Sequence, residues 1–183
     1  SFLLSQRGQK ILSLLGPKDL AISLSTTSFT IVASIQLFAL FMLWSPSKIV
    51  FELPFEFLIY ILPILYCLSW FLLIVATIDA GLEVQSGALG WISVLARKKP
   101  KFPELPTTGL YRIIRHPIYA SFFLAVLTVP TWTADQIVVS LILGGYCIFA
   151  PILKDRRLIE RHGEEYLRYK NTTPYMLPSK IIK

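Results

Sequence analysis

The stretch GLYRIIRHPIYASF, residues 109–122, sets Tyr111, Arg112, Arg115, His116, Pro117 and Tyr119 against the start of an apolar run. A second polar group, Asp155, His162, Glu165, Tyr166 and Tyr169, lies in KDRRLIERHGEEYLRY, residues 154–169, just before the turn Thr172-Thr173-Pro174. Arginine binds a carboxylate through a bidentate fork. Tyrosine faces attract a cation such as a sulfonium. Aspartate and glutamate accept hydrogen bonds from ammonium or ribose hydroxyl groups. S-adenosylmethionine (SAM) has a carboxylate, an ammonium, a sulfonium and a ribose, so it can use every one of these groups. A bland alternative assigns Arg112 and Arg115 to topology as snorkelling anchors, and Tyr111 and Tyr119 to an interfacial aromatic belt. His116 then serves only as a cap beside Pro117, the first helical residue.

The elements that carry these groups read as membrane helices. Hydrophobic residues make up 54% of the chain and charged residues 16%, against roughly 45–50% and 25% in soluble domains. The 183 residues suit one domain. Four spans are expected: about Ile22 to Trp44, about Phe55 to Ile78 with Pro63 inside, a short one from Pro117 to Trp132, and one from Gln136 to Leu153. The brief turn from Pro130 to Asp135 makes 117–153 a helical hairpin, and Thr133 with Gln136 has capping-box spacing for its second helix. The fold class is therefore all-α: a polytopic membrane helical bundle of about four transmembrane helices plus a cytoplasmic C-terminal helix. Along the chain this gives an interfacial or tail segment (1–20), the first two spans (22–78), a cytoplasmic loop (79–116), the hairpin (117–153) and a cytoplasmic segment (154–183).

Orientation follows from the basic residues. Of the 18 lysines and arginines, all but Lys48 fall before the first span, between the second and third, or after the fourth. The positive-inside rule then places both termini and the 79–116 loop in the cytoplasm. Topology also explains the net charge of +7. Nucleic-acid binding is a poor reading, because no basic groove or soluble fold is present to carry it. If 117–153 is a hairpin, the two polar groups lie on one membrane face.

Within the long loop, Asp79 and Glu83 follow the second span. GALGWISVLA, residues 87–96, reads as a short re-entrant or interfacial piece, and the proline-rich RKKPKFPELP as extended chain. Residues 154–169 read as a helix continuing from the fourth span, with Asp155, Leu158, His162, Glu165, Tyr166 and Tyr169 on one face. Gly163 inside it marks either a close approach or a helix break. Cys67 and Cys147 sit in apolar runs without CxxC spacing, so they read as small buried hydrophobes rather than metal ligands or a disulfide framework. The chain has no GxGxxG and no βαβ pattern, which argues against a Rossmann-type nucleotide site. The two histidines, His116 and His162, leave axial ligation of a haem as a second chemistry.

GLYRIIRHPIYASFFLAVLTVPT followed by DRRLIERHGEEYLRYKNTTPYMLP resembles the paired signature of membrane methyltransferases related to isoprenylcysteine carboxyl methyltransferase. Gly109, Tyr111, Arg115, His116, Pro117 and Tyr119 match its first half, and Leu158, Gly163, Tyr166, Tyr169, Pro174 and Pro178 its second. VPTWTADQ looks more like the NnrU-like branch, which includes methanethiol S-methyltransferase, nurim and the haem-dependent zeta-carotene isomerase. The resemblance implies a SAM site at the cytoplasmic face, under the hairpin, with lateral access from the bilayer for a small or lipophilic acceptor. Tyr111, His116, Pro117, Tyr119, His162, Tyr166 and Tyr169 are its implied cofactor residues. Arg112, Arg115, Asp155 and Glu165 are implied to position the reactants. Lys154-Asp155 stands where the family often has a glutamate pair, and this weakens a carboxyl-methylating assignment. A thiol acceptor is the first expectation. A haem-binding NnrU-type protein and a non-enzymatic nurim-like protein are the alternatives.

Overall fold

The computed structural model describes residues 18–86, 88–96 and 105–178. The expected amphipathic segment at the N-terminus lies outside the described residues up to position 17, as does most of the proline-rich stretch, 97–104. The described residues divide into two compact units, one within 18–45 and 80–96, the other within 46–79 and 105–178.

In the first unit, helix α1 (Lys18–Leu43) packs on a short helix, Ala88–Leu95, which is reached through the turn Leu82–Gln85. The short helix is the GALGWISVLA piece, and its buried residues, Gly90 and Ser93, are small. Small residues let helix backbones approach closely where lipid removes the hydrophobic drive between helices. We label Leu58–Asp79 α2, Leu82–Gln85 α3 and Ala88–Leu95 α4.

The second unit holds α2, α5 (Leu110–Ile113), α6 (Pro117–Leu127), α7 (Ala134–His162) and α8 (Glu164–Thr172). Helix α6 packs against both α2 and α7. Its buried positions Pro117, Ser121 and Ala125 recur every fourth residue. On α7 the buried positions are Ser140, Gly144, Cys147, Pro151 and Asp155, again one face. A Cβ at Gly144 would lie 3.3 Å from the Phe123 ring, so that glycine permits the close crossing. The same small-residue stripe that brings the helices together ends in Asp155, and so delivers a carboxylate to the start of α6.

The far end of the hairpin is closed by polar contacts. Thr133 caps α7 and accepts from the Gln136 backbone N–H at 3.3 Å, as the spacing predicted. The Gln136 side-chain amide and the Ser140 hydroxyl both donate to the Val126 carbonyl, at 3.3 and 3.1 Å. Two short strands, β1 (Val50–Phe51) and β2 (Trp132–Thr133), pair antiparallel beside this turn. Nothing in the local pattern at 50–51 announced a strand.

Among the described residues two helices, α2 and α7, are long and apolar enough to cross a membrane, while Thr30–Leu43 and α6 are shorter apolar stretches. These two match the second and fourth of the four expected spans; the other two are not shown as spans. Helix α6 stops at Leu127 rather than Trp132 because Pro130 has no N–H to donate and disfavours helix at Val129. Thr128 closes it, its hydroxyl donating to the Leu124 carbonyl at 2.8 Å. Only 6% of the α2 apolar window and 22% of the α7 window is buried. Helices with Phe71, Ile74, Leu141, Ile142 and Phe149 all exposed present an apolar surface that suits lipid and not water. Cys67 is exposed on α2, contrary to its expected burial, whereas Cys147 is buried.

Candidate functional site

Three local structures bring the polar groups together. The first is the turn before α5. Gly109 has φ of +57°, a region that favours glycine, and a Cβ there would overlap the Asp79 carboxylate. The Leu110 N–H donates to Asp79 Oδ2 at 2.9 Å. This places the Tyr111 ring inside, 3% exposed. The second is the start of α6. Pro117 occupies the first turn and His116 is the N-cap residue, but its side chain makes no capping bond. Capping therefore does not explain the buried imidazole.

The third is the chain after α8. The Arg115 N–H donates to the Pro174 carbonyl at 2.9 Å and the His116 N–H to the Tyr175 carbonyl at 3.3 Å. These two bonds lay Tyr175 across the site. Its ring meets the His116 ring edge-on, centroids 5.0 Å apart, and lies 5.6 Å from the Arg115 guanidinium carbon. Its hydroxyl donates to the Ile148 carbonyl of α7 at 2.7 Å.

Asp155 is the hub. Arg115 Nη1 donates to Oδ2 at 3.3 Å, with both side chains under a tenth exposed. The Tyr166 hydroxyl donates to Oδ1. His116 Nε2 lies 2.8 Å from Oδ1, yet neither ring nitrogen meets hydrogen-bond geometry, so the contact is close but off-line. The Tyr169 hydroxyl donates to the Tyr111 carbonyl at 2.6 Å. Tyr119 sits beside His116, centroids 6.1 Å apart, and Lys154 Nζ lies 5.8 Å from the Tyr119 ring centre.

Burial governs the protonation states. It holds the His116 imidazole below its ordinary value of 6.5, with the Asp155 carboxylate opposing the shift and Lys154 and Arg115 adding to it. The ring is therefore neutral at physiological pH. Burial pushes Tyr169 up to about 12. It pushes Tyr111 higher, with the Tyr169 and Asp79 charges adding, and Tyr166 higher again, with the bond to Asp155 adding. All three phenols stay protonated and serve as donors.

The structure thus brings Tyr111, Arg115, His116, Pro117, Tyr119, Asp155, Tyr166 and Tyr169 into one cluster, drawn from both sequence motifs. It does not bring three others, Arg112, His162 and Glu165, into these contacts. Arg112 is exposed. Glu165 is 70% exposed, and its nearest charged partner is His162 at 4.0 Å. Gly163, with φ of +55°, ends α7 and starts α8 afresh. The single continuous helix expected over 154–169 is broken there, and its shared face with it. A Cβ at Gly163 would meet no protein atom within 4 Å, so the glycine marks a helix break with no neighbouring backbone against it. Tyr175, Asp79 and Lys154 were not singled out for the site from sequence. Tyr175 follows Pro174 of the matched proline turn, which was the available signal.

Four buried polar atoms in this cluster have no hydrogen-bond partner: Tyr111 Oη, Arg115 Nε, His116 Nδ1 and His116 Nε2. Buried polar groups are paired in the great majority of cases, and exceptions call for a ligand or water. Phenol and guanidinium donors beside neutral imidazole and aromatic faces fit a zwitterionic sulfonium ligand such as SAM. Among the described residues, no group of three or more His, Cys, Asp or Glu is placed to hold a metal ion.

The chain is a distant homologue of methanethiol S-methyltransferases. It is 29% identical over 153 residues to methanethiol S-methyltransferase of Pseudomonas deceptionensis, covering 83% of this chain and 58% of the relative. It is 27% identical over 153 residues to methanethiol S-methyltransferase 1 of Bradyrhizobium diazoefficiens, covering 83% and 54%. A methanethiol S-methyltransferase of Pseudomonas sp. strain GM41(2012) is 23% identical over 159 residues, covering 86% and 61%. The chain spans between half and two thirds of the length of these curated relatives. No family model and no solved structure matches it.

Proposed function

We propose that this chain carries the cofactor site of an integral membrane methyltransferase that moves a methyl group from SAM to a small apolar thiol. One observation carries the reading: a closed cluster around Asp155 whose unpartnered buried atoms belong to Tyr111, Arg115 and His116. The names of the relatives support the thiol acceptor.

When bound, SAM supplies a methyl group activated by its sulfonium. The chain's own residues bind and orient. Arg115, held by Asp155 at one nitrogen, keeps Nε free to donate to a carboxylate. Tyr111 offers its hydroxyl as a donor. The rings of Tyr119 and Tyr175 offer faces to a cation. The Pro174-Tyr175 backbone, pinned to Arg115 and His116, covers the cluster and excludes water. Catalysis is then mainly proximity and orientation. Burial of a neutral His116, rather than an imidazolium, avoids placing a further positive charge against a sulfonium. The basic residues support a multi-pass topology with both ends of this chain cytoplasmic.

Calorimetric titration of detergent-purified protein with SAM tests the proposal. Saturable binding by wild type, lost in His116→Ala, is expected. Absence of saturable binding by wild type overturns it. A Soret band from protein made in haem-replete cells, lost in the same variant, would replace it with the haem reading.

A further inference from the structure

We infer that Asp79, the last residue of α2, is a positioning residue of the cofactor site: it sets the turn at Gly109 and through that turn the Tyr111 hydroxyl. The inference rests on the reading of the cluster as a SAM site. Asp79 makes no hydrogen bond to any of the unpartnered atoms itself. Its Oδ2 accepts the Leu110 N–H at 2.9 Å, and its carboxylate fills the space that a side chain at position 109 would need. Both observations follow from one placement of the Asp79 carboxylate. The first fixes the backbone one residue before Tyr111. The second requires glycine at 109 on steric grounds, in addition to its φ of +57°.

Tyr111 is consequently held from two sides. Asp79 fixes the preceding amide, and the Tyr169 hydroxyl holds the Tyr111 carbonyl at 2.6 Å. Between these anchors the ring is 3% exposed, and its hydroxyl is buried without a partner. A donor on a four-residue helix has little intrinsic rigidity, since a single turn is marginal without outside support. Asp79 supplies that support from the end of a long apolar helix. The mechanical link thus runs from α2 to the cofactor and not only from the two signature motifs.

The test is a double-mutant cycle read by SAM affinity in calorimetry, with Asp79→Ala, Tyr111→Phe and the pair. Asp79→Ala should weaken binding about 10- to 100-fold, the range for a lost hydrogen bond to a charged group. Asp79→Asn keeps an acceptor and should stay within about fivefold of wild type. In the Tyr111→Phe background, Asp79→Ala should cost less than about threefold, because the hydroxyl it positions is gone. Turnover should show a raised KM for SAM with kcat at saturation little changed. Wild-type affinity in Asp79→Ala overturns the inference alone, as does a full loss that persists in the Tyr111→Phe background. Absence of binding by wild type overturns the site reading and this inference together. If Asp79→Ala does not purify in folded form, Asp79→Glu decides. Its longer side chain intrudes on Gly109, and it should bind more weakly than Asp79→Asn; equal affinity overturns the inference.

Discussion

Replacing Asp155 by alanine removes one carboxylate from three neighbours at once: Arg115 Nη1 at 3.3 Å, His116 Nε2 at 2.8 Å and the Tyr166 hydroxyl. The Arg115 side chain is only 9% exposed, so its guanidinium does not recover hydration when its partner goes. Deleting one partner of a buried ion pair costs about 3–5 kcal/mol. A chain of this size loses roughly 2–4 °C of midpoint per kcal/mol. The thermal midpoint of detergent-purified Asp155→Ala, followed by tryptophan fluorescence, should therefore fall by about 6 °C or more. Asp155→Asn keeps an acceptor for Tyr166 and loses only the charge, so its cost should be nearer 1.5–3 kcal/mol, the scale of a charge-assisted hydrogen bond. The double substitution Arg115→Met with Asp155→Leu leaves no unpaired charge and should be more stable than Asp155→Ala, while binding no SAM. A midpoint for Asp155→Ala within about 2 °C of wild type refutes the view of Asp155 as the hub. A double variant no more stable than the single refutes the account of why.

Acid should destabilise the chain through His116. The folded imidazole titrates below its ordinary value of 6.5 because burial disfavours the cation, so between the two values the unfolded state binds more protons. Stability should be full above about 6.5 and decline as pH falls below it. A midpoint-versus-pH series should show this decline in wild type and a smaller one in His116→Gln; parallel curves count against it. Gly163→Ala should cost about 1–3 kcal/mol from backbone strain alone, because φ is +55° and no atom crowds the added carbon. A cost below about 0.5 kcal/mol by the same unfolding assay contradicts the geometry.

What the sequence made legible were the features set by neighbours in the chain. The Pro117 helix start, the Thr133 cap and the approximate place of α7 all follow from residues one to four apart, and all three are present. The meeting of the two signature motifs followed from the hairpin, a topological argument. The failures have a common origin in what local pattern does not contain. A helical wheel drawn through Gly163 put Asp155, His162, Glu165 and Tyr166 on one face, and one positive φ breaks that face between His162 and Glu165. The Arg115–Asp155 pair is 40 residues apart and the Tyr169–Tyr111 bond 58, so their partners become visible only once the helices pack. Tyr175 had no charge and no periodicity to mark it, and its role comes from two backbone bonds that lay the chain end over the site. Asp79 read as the polar end of a span, because its partner, Leu110, donates through the backbone and shows nothing in its side chain.

The hairpin of α6 and α7 is fastened differently at its two ends. At Val126 and Thr133 the closure uses a capped turn, main-chain acceptors and the β1–β2 ladder. At His116 and Asp155 it rests on side chains and on the returning chain end. With the ladder taken as a fulcrum, a tilt of α6 would carry its other end through an arc. Helix α6 has 11 residues, so its lever arm is about 17 Å. A rotation of about 5° at the fulcrum moves the tip by roughly 1.5 Å, beyond the tolerance of about 1 Å at which misplacement costs a hundredfold in rate. Substitutions at Gln136 or Ser140, remote from the cluster, are therefore expected to reach it amplified by the length of the arm.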